Sequence, residues 1–114
     1  MRDCSHPRDV AALVFKQTKS ADRHAERVQN VSGGVAAAMS LAQLSSWCAA
    51  RFGKHSVGCE PAPRPYEVPW MVLDSAMAKR QWEWQPMVGI EQILEEIAQH
   101  GEAHPEWLDI SSCV

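Results

Sequence analysis

The sequence lacks the cysteine patterns that mark a metal-stabilised or disulfide-stabilised fold. Its four cysteines are widely and irregularly spaced, and no two of them form a C-x-x-C pair. Neither a zinc site nor a disulfide framework is indicated, and we expect free thiols. These residues are Cys4, Cys48, Cys59 and Cys113.

A long hydrophobic run is also missing. The longest uncharged stretch, residues 28–50, carries glutamine, asparagine, several serines and two glycines, which make it too polar to span a bilayer. The chain begins Met1-Arg2-Asp3-Cys4, with no apolar segment before the first predicted helix, so no secretory signal is predicted. We therefore expect a cytoplasmic protein with no membrane partner.

The charge distribution gives no concentrated basic face. The net charge is −3, and the basic residues are scattered through the chain. Binding to a nucleic-acid backbone needs such a face, so nucleic acid is not an expected partner. The length of 114 residues predicts one small domain, residues 1–114, with a modest core.

Several common catalytic patterns are absent. The run Ser32-Gly33-Gly34 has only two adjacent glycines and is neither G-x-G-x-x-G nor a Walker loop, so we interpret it as a structural turn. The only tyrosine is Tyr66, and the residue four places later is Trp70. A Tyr-x-x-x-Lys proton-transfer pair is therefore impossible, and we expect no catalytic residue in this chain.

The histidines suggest no metal site from sequence. His100 and His104 have i, i+4 spacing, but Gly101 lies between them and H-G-E-A-H is not H-E-x-x-H. We expect a helix end there, followed by an exposed loop, and no metal ligand. His6, which precedes Pro7, can either cap a helix through a ring nitrogen or face a ligand, and the structural role is favoured.

Four helices are predicted from local signals. Pro7 at a first helical position begins a helix over residues 7–20. Ser40 with Gln43 forms a capping box, followed by an apolar stripe that stops at Gly53. A third helix covers residues 76–82, capped by Asp74 or Ser75. The fourth has an apolar face from residue 90 onwards and ends at Gly101, before a single turn at residues 105–108.

Two or three short strands are predicted as well. Residues 28–31 form a β-prone run that the glycine pair closes, and residues 56–60 form a second run bounded by proline. Residues 70–73 resemble a third strand. The predicted fold class is therefore α/β, mainly helical with two or three short strands.

Two arginines are candidates for binding phosphate. Arg64 lies among prolines that exclude a helix and make a stiff loop, and Arg2 lies next to the N-terminus. A guanidinium group holds phosphate oxygens through paired, charge-assisted hydrogen bonds. Composition alone favours solvated surface arginines.

Five segments, in order, resemble one family. Residues 2–11, R-D-C-S-H-P-R-D-V-A, resemble R-D-x-x-H-x-x-D-(V/L)-A of the extended short-chain dehydrogenase/reductases, the NAD-dependent nucleotide-sugar epimerases and dehydratases. Residues 28–34, V-Q-N-V-S-G-G, are similar to that family's F-N-(I/V)-G-G-G, and residues 39–44, M-S-L-A-Q-L, to its S-L-x-E-L helix start.

The remaining two segments follow in the same order. Residues 64–67, R-P-Y-E, resemble R-P-G-D, so Tyr66 and Glu67 stand where the family has Gly and Asp. Residues 74–79 and 84–86, D-S-A-M-A-K and W-Q-P, resemble D-x-S-K-A-K followed by G-W-x-P. Residues 64–70 and 97–109 are most similar to the CDP-paratose 2-epimerase branch.

The resemblance implies a C-terminal substrate-domain fragment. In that family this region binds a nucleotide-diphosphate sugar, and matching positions place Arg2 and Arg64 at the diphosphate and Glu67 near the ribose. The NAD loop and the Tyr-x-x-x-Lys pair of the family lie upstream of the matched segments. We therefore expect no cofactor in this chain, although NAD is implied for the intact enzyme, and no catalysis by this chain alone.

An alternative function belongs to a different class. A domain of this kind without its NAD-binding half leaves apolar faces uncovered, which favours self-association or binding to another protein. The helix from Pro7 and the Gly33-Gly34 turn are the places where we expect this. The chain would then be an inactive remnant that acts as an interaction or oligomerisation module.

Overall fold

The computed structural model describes residues 1–20, 28–58, 62 and 65–107. In this part of the chain the fold is mainly helical, as predicted, with four α-helices and two short strands. The strands are β1, Arg2–Asp3, and β2, Ala38–Met39. The helices are α1, Pro7–Lys19; α2, Leu41–Phe52; α3, Ala76–Trp82; and α4, Ile90–Ala103. None of the described helices is long and apolar enough to cross a bilayer.

Helix α1 begins where the sequence predicted, and His6 is its cap. The His6 Nδ1 atom accepts a hydrogen bond from the backbone N–H of Arg8 at 3.0 Å, which satisfies a donor that the first helical turn leaves open. The other ring nitrogen, Nε2, lies 3.0 Å from Glu96 Oε2 on α4. The structural role predicted for His6 is confirmed, and the same ring also joins α1 to α4.

Helix α2 carries the predicted capping box. Ser40 Oγ accepts from the Gln43 N–H at 3.2 Å, and Gln43 Oε1 accepts from the Ser40 N–H at 2.8 Å. The helix ends at Gly53, whose φ of 101° lies in a region that side chains disfavour. None of its twelve residues is buried, and Leu41 at its start is 82% exposed. On its apolar stripe Leu44 and Cys48 are half-buried, whereas Leu41 and Phe52 are exposed.

The strand predictions were wrong in position. Residues 28–31 form no strand, and Val28 is 85% exposed. A β-prone run forms a strand only when it pairs with another backbone. Here β1 pairs with β2, in antiparallel register with Arg2 opposite Met39, and not with residues 28–31. The run at residues 70–73 is reduced to one parallel bridge between Met71 and Arg2.

The predicted strand at residues 56–60 also does not form where it is described. Residues 56–58 have no regular structure, and Cys59 and Glu60 lie outside the described residues. Of the described cysteines, Cys4 and Cys48 are free thiols.

Helix α3 has the predicted bounds, and of its two predicted caps only Asp74 bonds the first turn. Asp74 Oδ1 accepts from the Ala76 N–H at 2.9 Å, whereas the Ser75 hydroxyl is engaged elsewhere. The helix ends at Glu83, which adopts a left-handed conformation with φ 47°. The chain therefore turns three residues before Pro86.

The core lies between α1, α3 and the segment that follows α3. Leu13, Ala78 and Trp84 are buried together, with Val31 and Trp82 packed against them. The Trp84 indole N–H donates to the Asp9 carbonyl oxygen at 2.8 Å, and Asp9 Oδ2 accepts from the Val88 N–H at 3.1 Å. Because Asp9 is itself buried, these bonds satisfy polar groups that would otherwise be costly to enclose.

Helix α4 packs one face and continues past its predicted end. Ile93 and Leu94 are buried, as the spacing predicted, but Ile97 is 63% exposed, and Ala98, which was not on the predicted face, is buried. The helix includes Gly101 and ends at Ala103, so the prediction that it stops at Gly101 was wrong. A helical glycine costs only about 1 kcal/mol, which the bonds of the surrounding turns outweigh.

Candidate functional site

The Ser32-Gly33-Gly34 turn forms one wall of a cavity, which we call the turn cavity. Residues 32–35, 72–76 and 84–86 line it, together with Trp70 and Lys79, and its volume is about 490 Å³. That volume lies within the range usual for small-molecule sites. The turn was predicted to be structural, and the cavity beside it is a feature that the sequence did not reveal.

A polar network centred on Ser32 holds the turn in place. The Asp3 carboxylate accepts a hydrogen bond from the Ser32 hydroxyl and a second from the Leu73 N–H at 3.1 Å. The Ser32 N–H donates to Ser75 Oγ at 2.9 Å. The Gly34 N–H donates to Ser32 Oγ, also at 2.9 Å. One buried serine thus ties β1, the turn and the start of α3 together.

These bonds decide the charge state of Asp3. Burial on its own raises the pKa of this carboxyl group, but hydrogen bonds from Ser32 and from the backbone at Leu73 outweigh that effect. The net result is a pKa below the ordinary value of 3.8. Asp3 is therefore a carboxylate near neutral pH, and it acts here as an acceptor for the turn.

Gly33 allows the closest backbone approach in this region. A Cβ atom on Gly33 would overlap the carbonyl oxygen of Cys4 and lie 2.6 Å from the Cβ atom of Ala37. The neighbouring Cys4 N–H donates to the Ala37 carbonyl oxygen at 3.0 Å. Only glycine fits between these two segments, so packing accounts for the glycine at position 33.

The predicted phosphate ligand Arg2 lies at the edge of this region. Its backbone pairs with Met39 on one side and Met71 on the other, and Met71 lies between two residues that line the turn cavity. Its side chain is exposed, and Nη1 donates to the carbonyl oxygen of Met1 at 2.8 Å. Arg2 does not itself line the cavity.

Of the other two predicted ligands, only Glu67 is described, and it lies on the loop that precedes Met71. Glu67 is exposed and lies outside the cavity lining, and Arg64 falls outside the described residues. The loop returns to β1 at Pro69, whose carbonyl oxygen accepts from the Met1 amino group at 2.8 Å. The structure therefore brings the loop that carries Glu67 against the strand that carries Arg2.

The position of Tyr66 is unusual for its residue type. Tyr66 has φ 64°, in the left-handed region that glycine adopts without cost. The resembled motif R-P-G-D has glycine at this position. The backbone here has the conformation that such a glycine would favour, although this chain carries tyrosine.

Two further groups at the turn cavity are able to contact a ligand. Lys79 supplies an ammonium group, and Trp70 supplies an indole ring that is largely exposed. Within the described residues, no group of three or more His, Cys, Asp or Glu side chains is arranged to hold a metal ion. An ammonium group can pair with an anion and an indole ring can stack on an aromatic or sugar ring, and Asp74 adds a carboxylate to the same lining.

Comparison with protein-family models, with curated proteins and with solved structures found no match to this chain.

Proposed function

We propose that this chain is the nucleotide-diphosphate-sugar-binding portion of an NAD-dependent epimerase or dehydratase. One observation carries the proposal: segments that resemble family motifs, although far apart in sequence, meet at one place. Asp3 of the first segment bonds Ser32 of the second, and Ser32 bonds Ser75 of the last. Trp84 closes the same region by its bond to Asp9 of the first segment.

In this proposal the arginines bind the diphosphate and Glu67 contacts the ribose. The pairing of β1 with Met71 supports a shared location for Arg2 and the loop that carries Glu67. The left-handed backbone at Tyr66 supports the correspondence with R-P-G-D. The chain supplies no Tyr-x-x-x-Lys pair, so its role is to hold substrate while other residues and NAD carry out the chemistry.

Calorimetric titration with CDP-, UDP- and GDP-sugars tests the proposal. We expect one of the three to bind with submillimolar affinity, because charge-assisted contacts to two phosphates suffice for that range. Arg64→Ala should weaken binding about tenfold or more, and Arg2→Ala should act in the same direction. Lys54→Ala, an exposed lysine on the coil after α2, is the matched control and should leave binding unchanged.

Two results would overturn the proposal. One is the absence of heat with all three nucleotide sugars up to millimolar concentration. The other is binding that Arg64→Ala and Lys54→Ala alter equally. Circular dichroism of each variant checks that the helices are retained.

A specific observation favours self-association as a second candidate function. Helix α1 buries Leu13 on one side, yet it presents a second, uncharged stripe to solvent. Val14 and Phe15 on that stripe are 51% and 59% exposed. An open apolar groove of about 800 Å³ runs along it, lined by Ser5, Pro7, Val10, Ala11, Val14, Phe15 and Thr18. Uncovered apolar area of this kind marks association surfaces.

Light scattering as a function of protein concentration tests the second candidate. We expect dimers or larger species at micromolar concentration, and Val14→Glu should shift them to monomer. Val57→Glu places the same charge on an exposed valine away from α1 and should not change the mass. A monomeric wild-type protein would rule out self-association through α1 while leaving the ligand-binding proposal untouched.

A further inference from the structure

The C-terminal end of α4 places two histidines on one helical face. The expectation of no metal ligand here rested on a helix that stops at Gly101, and the helix instead continues to Ala103. His104 is its C-cap, and the His104 N–H donates to the His100 carbonyl oxygen at 3.0 Å. Residues four apart on a helix are neighbours on its surface, so the imidazoles lie side by side.

The separation of the two rings suits chelation of one ion. Their centroids are 4.5 Å apart, and the ring planes are inclined by 40°. A metal–nitrogen bond of about 2.1 Å puts the metal roughly 3.2 Å from a ring centroid. Two imidazoles bound at about 90° to each other, as in an octahedral shell, would then have centroids roughly 4.5 Å apart, which is the separation found, whereas the tetrahedral angle of about 109° needs roughly 5.2 Å.

The second nitrogen of His104 already has an orienting partner. Its Nδ1 atom lies 3.2 Å from Glu106 Oε1. A carboxylate at Nδ1 favours the tautomer with the proton on Nδ1, which leaves the lone pair on Nε2 for a metal. Carboxylates commonly orient metal-binding histidines in this way.

The surroundings also favour a cation over an anion. The last carbonyl groups of α4 place the negative end of the helix dipole at this site. Glu106 contributes a carboxylate at His104, whereas the Glu102 carboxylate on the same last turn of α4 is paired with Arg51. Both imidazole rings are reachable from solvent, since His100 and His104 are exposed.

From these contacts we propose that His100 and His104 form an exchangeable site for a divalent transition-metal ion of the nickel, copper and zinc group. The two imidazoles are the protein ligands, and Glu106 is a positioning residue for His104. Water completes the coordination, because two protein donors do not fill a tetrahedral or octahedral shell. The site is independent of the proposed nucleotide-sugar site, so each can fail without the other.

Titration with NiCl₂, followed by calorimetry and by NMR of the histidine ring protons, tests this site. We expect one equivalent of Ni²⁺ to bind with an affinity in the range of tens of micromolar, because two imidazoles chelate it. Substoichiometric Ni²⁺ should broaden the ring signals of His100 and His104 before those of the other histidines. Nickel is chosen over copper because the free thiols Cys4 and Cys48 would reduce Cu²⁺.

Matched variants separate the site from adventitious binding. His100→Gln and His104→Gln should each weaken binding at least tenfold, whereas His55→Gln, an exposed histidine beside Ser45, should not. Glu106→Gln should weaken it severalfold, and Glu106→Asp should restore part of the loss. The helical circular dichroism of all these variants should stay unchanged, because the side chains are exposed.

The proposal is overturned by either of two results. Binding of Ni²⁺ that is equally strong in the double variant His100→Gln/His104→Gln would place the metal elsewhere. No binding at millimolar Ni²⁺ would show that the ring geometry does not produce a site.

Discussion

Helices α1 and α2 have nearly the same length but are held by different forces. Helix α1 buries Leu13 and Asp9 against α3 and Trp84, whereas α2 has the better cap and no buried residue. An ionic tie joins α2 to α4: the Arg51 guanidinium donates hydrogen bonds to both Glu95 and Glu102. Local helix signals and tertiary packing are therefore separate properties in this chain.

The ionic tie shifts the pKa values of Arg51 and Glu95. Hydrogen bonds to Glu95 and Glu102 raise the pKa of Arg51 above its already high ordinary value. The bond from Arg51, followed by one from Gln99, holds the pKa of Glu95 below 4.5. Because these groups are solvent-exposed, water and salt screen the attraction, so the tie positions α2 more than it stabilises the fold.

The largest expected loss of stability is in the core between α1 and α3. Trp84→Ala removes a buried indole and leaves the Asp9 carbonyl without its donor, so we expect a loss of about 3–5 kcal/mol in the free energy of unfolding. Urea denaturation followed by circular dichroism measures it. Trp84→Phe keeps most of the volume and should lose less. The exposed Trp107→Ala should be nearly neutral, and equal losses at positions 84 and 107 would contradict a core centred on Trp84.

The next largest loss of stability is expected at Gly33, which lines the turn cavity. Gly33→Ala forces a Cβ atom into the Cys4 carbonyl oxygen, and two backbone segments cannot separate without breaking the Cys4–Ala37 hydrogen bond. We expect a loss of about 1–3 kcal/mol, as for other overpacked sites. Gly58→Ala is the control, because an added Cβ atom there meets no described atom within 4 Å. A neutral Gly33→Ala would mean that β1 and the turn are not in contact.

A smaller and local effect is expected at the cap of α2. Ser40→Ala removes one half of the capping box, which typically costs about 1 kcal/mol of helix stability. Since α2 buries no residue, amide hydrogen exchange should accelerate in α2 and stay unchanged in α1. Ser46→Ala, in the middle of the same helix, is the comparison. Uniform acceleration in both helices would show that α2 unfolds together with the core.

The smallest expected effect is the pH dependence of the ionic tie. The pKa of Glu95 is lower in the folded state than its ordinary 4.5, so its contribution is present above that value and is lost as the pH falls through the folded pKa. The α2 amides should therefore exchange faster, relative to their intrinsic rates, when the pH is lowered from 6 to about 3. In Arg51→Met this pH dependence should disappear. An unchanged profile in that variant would mean that Arg51 does not hold α2.

The helices could be predicted because their signals are local. Pro7, the Ser40 and Gln43 pair, and the spacing from Ile90 each act within one or two turns, and the structure confirms the starts of these helices. The strands could not be placed, because β1 and β2 are only two residues long and are selected by partners 35 and 37 positions away. The lack of a fully buried residue on α2 had no local signal either, since an apolar stripe does not reveal how closely other segments cover it.

The candidate site was predictable only in part. The resemblance directed attention to the segments that hold Asp3, Ser32 and Ser75, but their mutual contacts depend on tertiary structure that no local pattern encodes. Arg2 was chosen for its guanidinium chemistry and its motif position and Glu67 for its motif position alone, and both stay predictions, as does Arg64. The pairing of His6 with Glu96, ninety positions away, had no sequence signal at all.

Lys16 connects the formation of α3 to its contact with α1. Its ammonium group donates to the carbonyl oxygens of Trp82 and Glu83 at 3.2 and 2.8 Å, so a side chain of α1 completes the C-terminal end of α3. A seven-residue helix is too short to persist alone in water. We therefore expect α3 to form stably only once the chain between Lys16 and Trp82 has closed, and so late in folding.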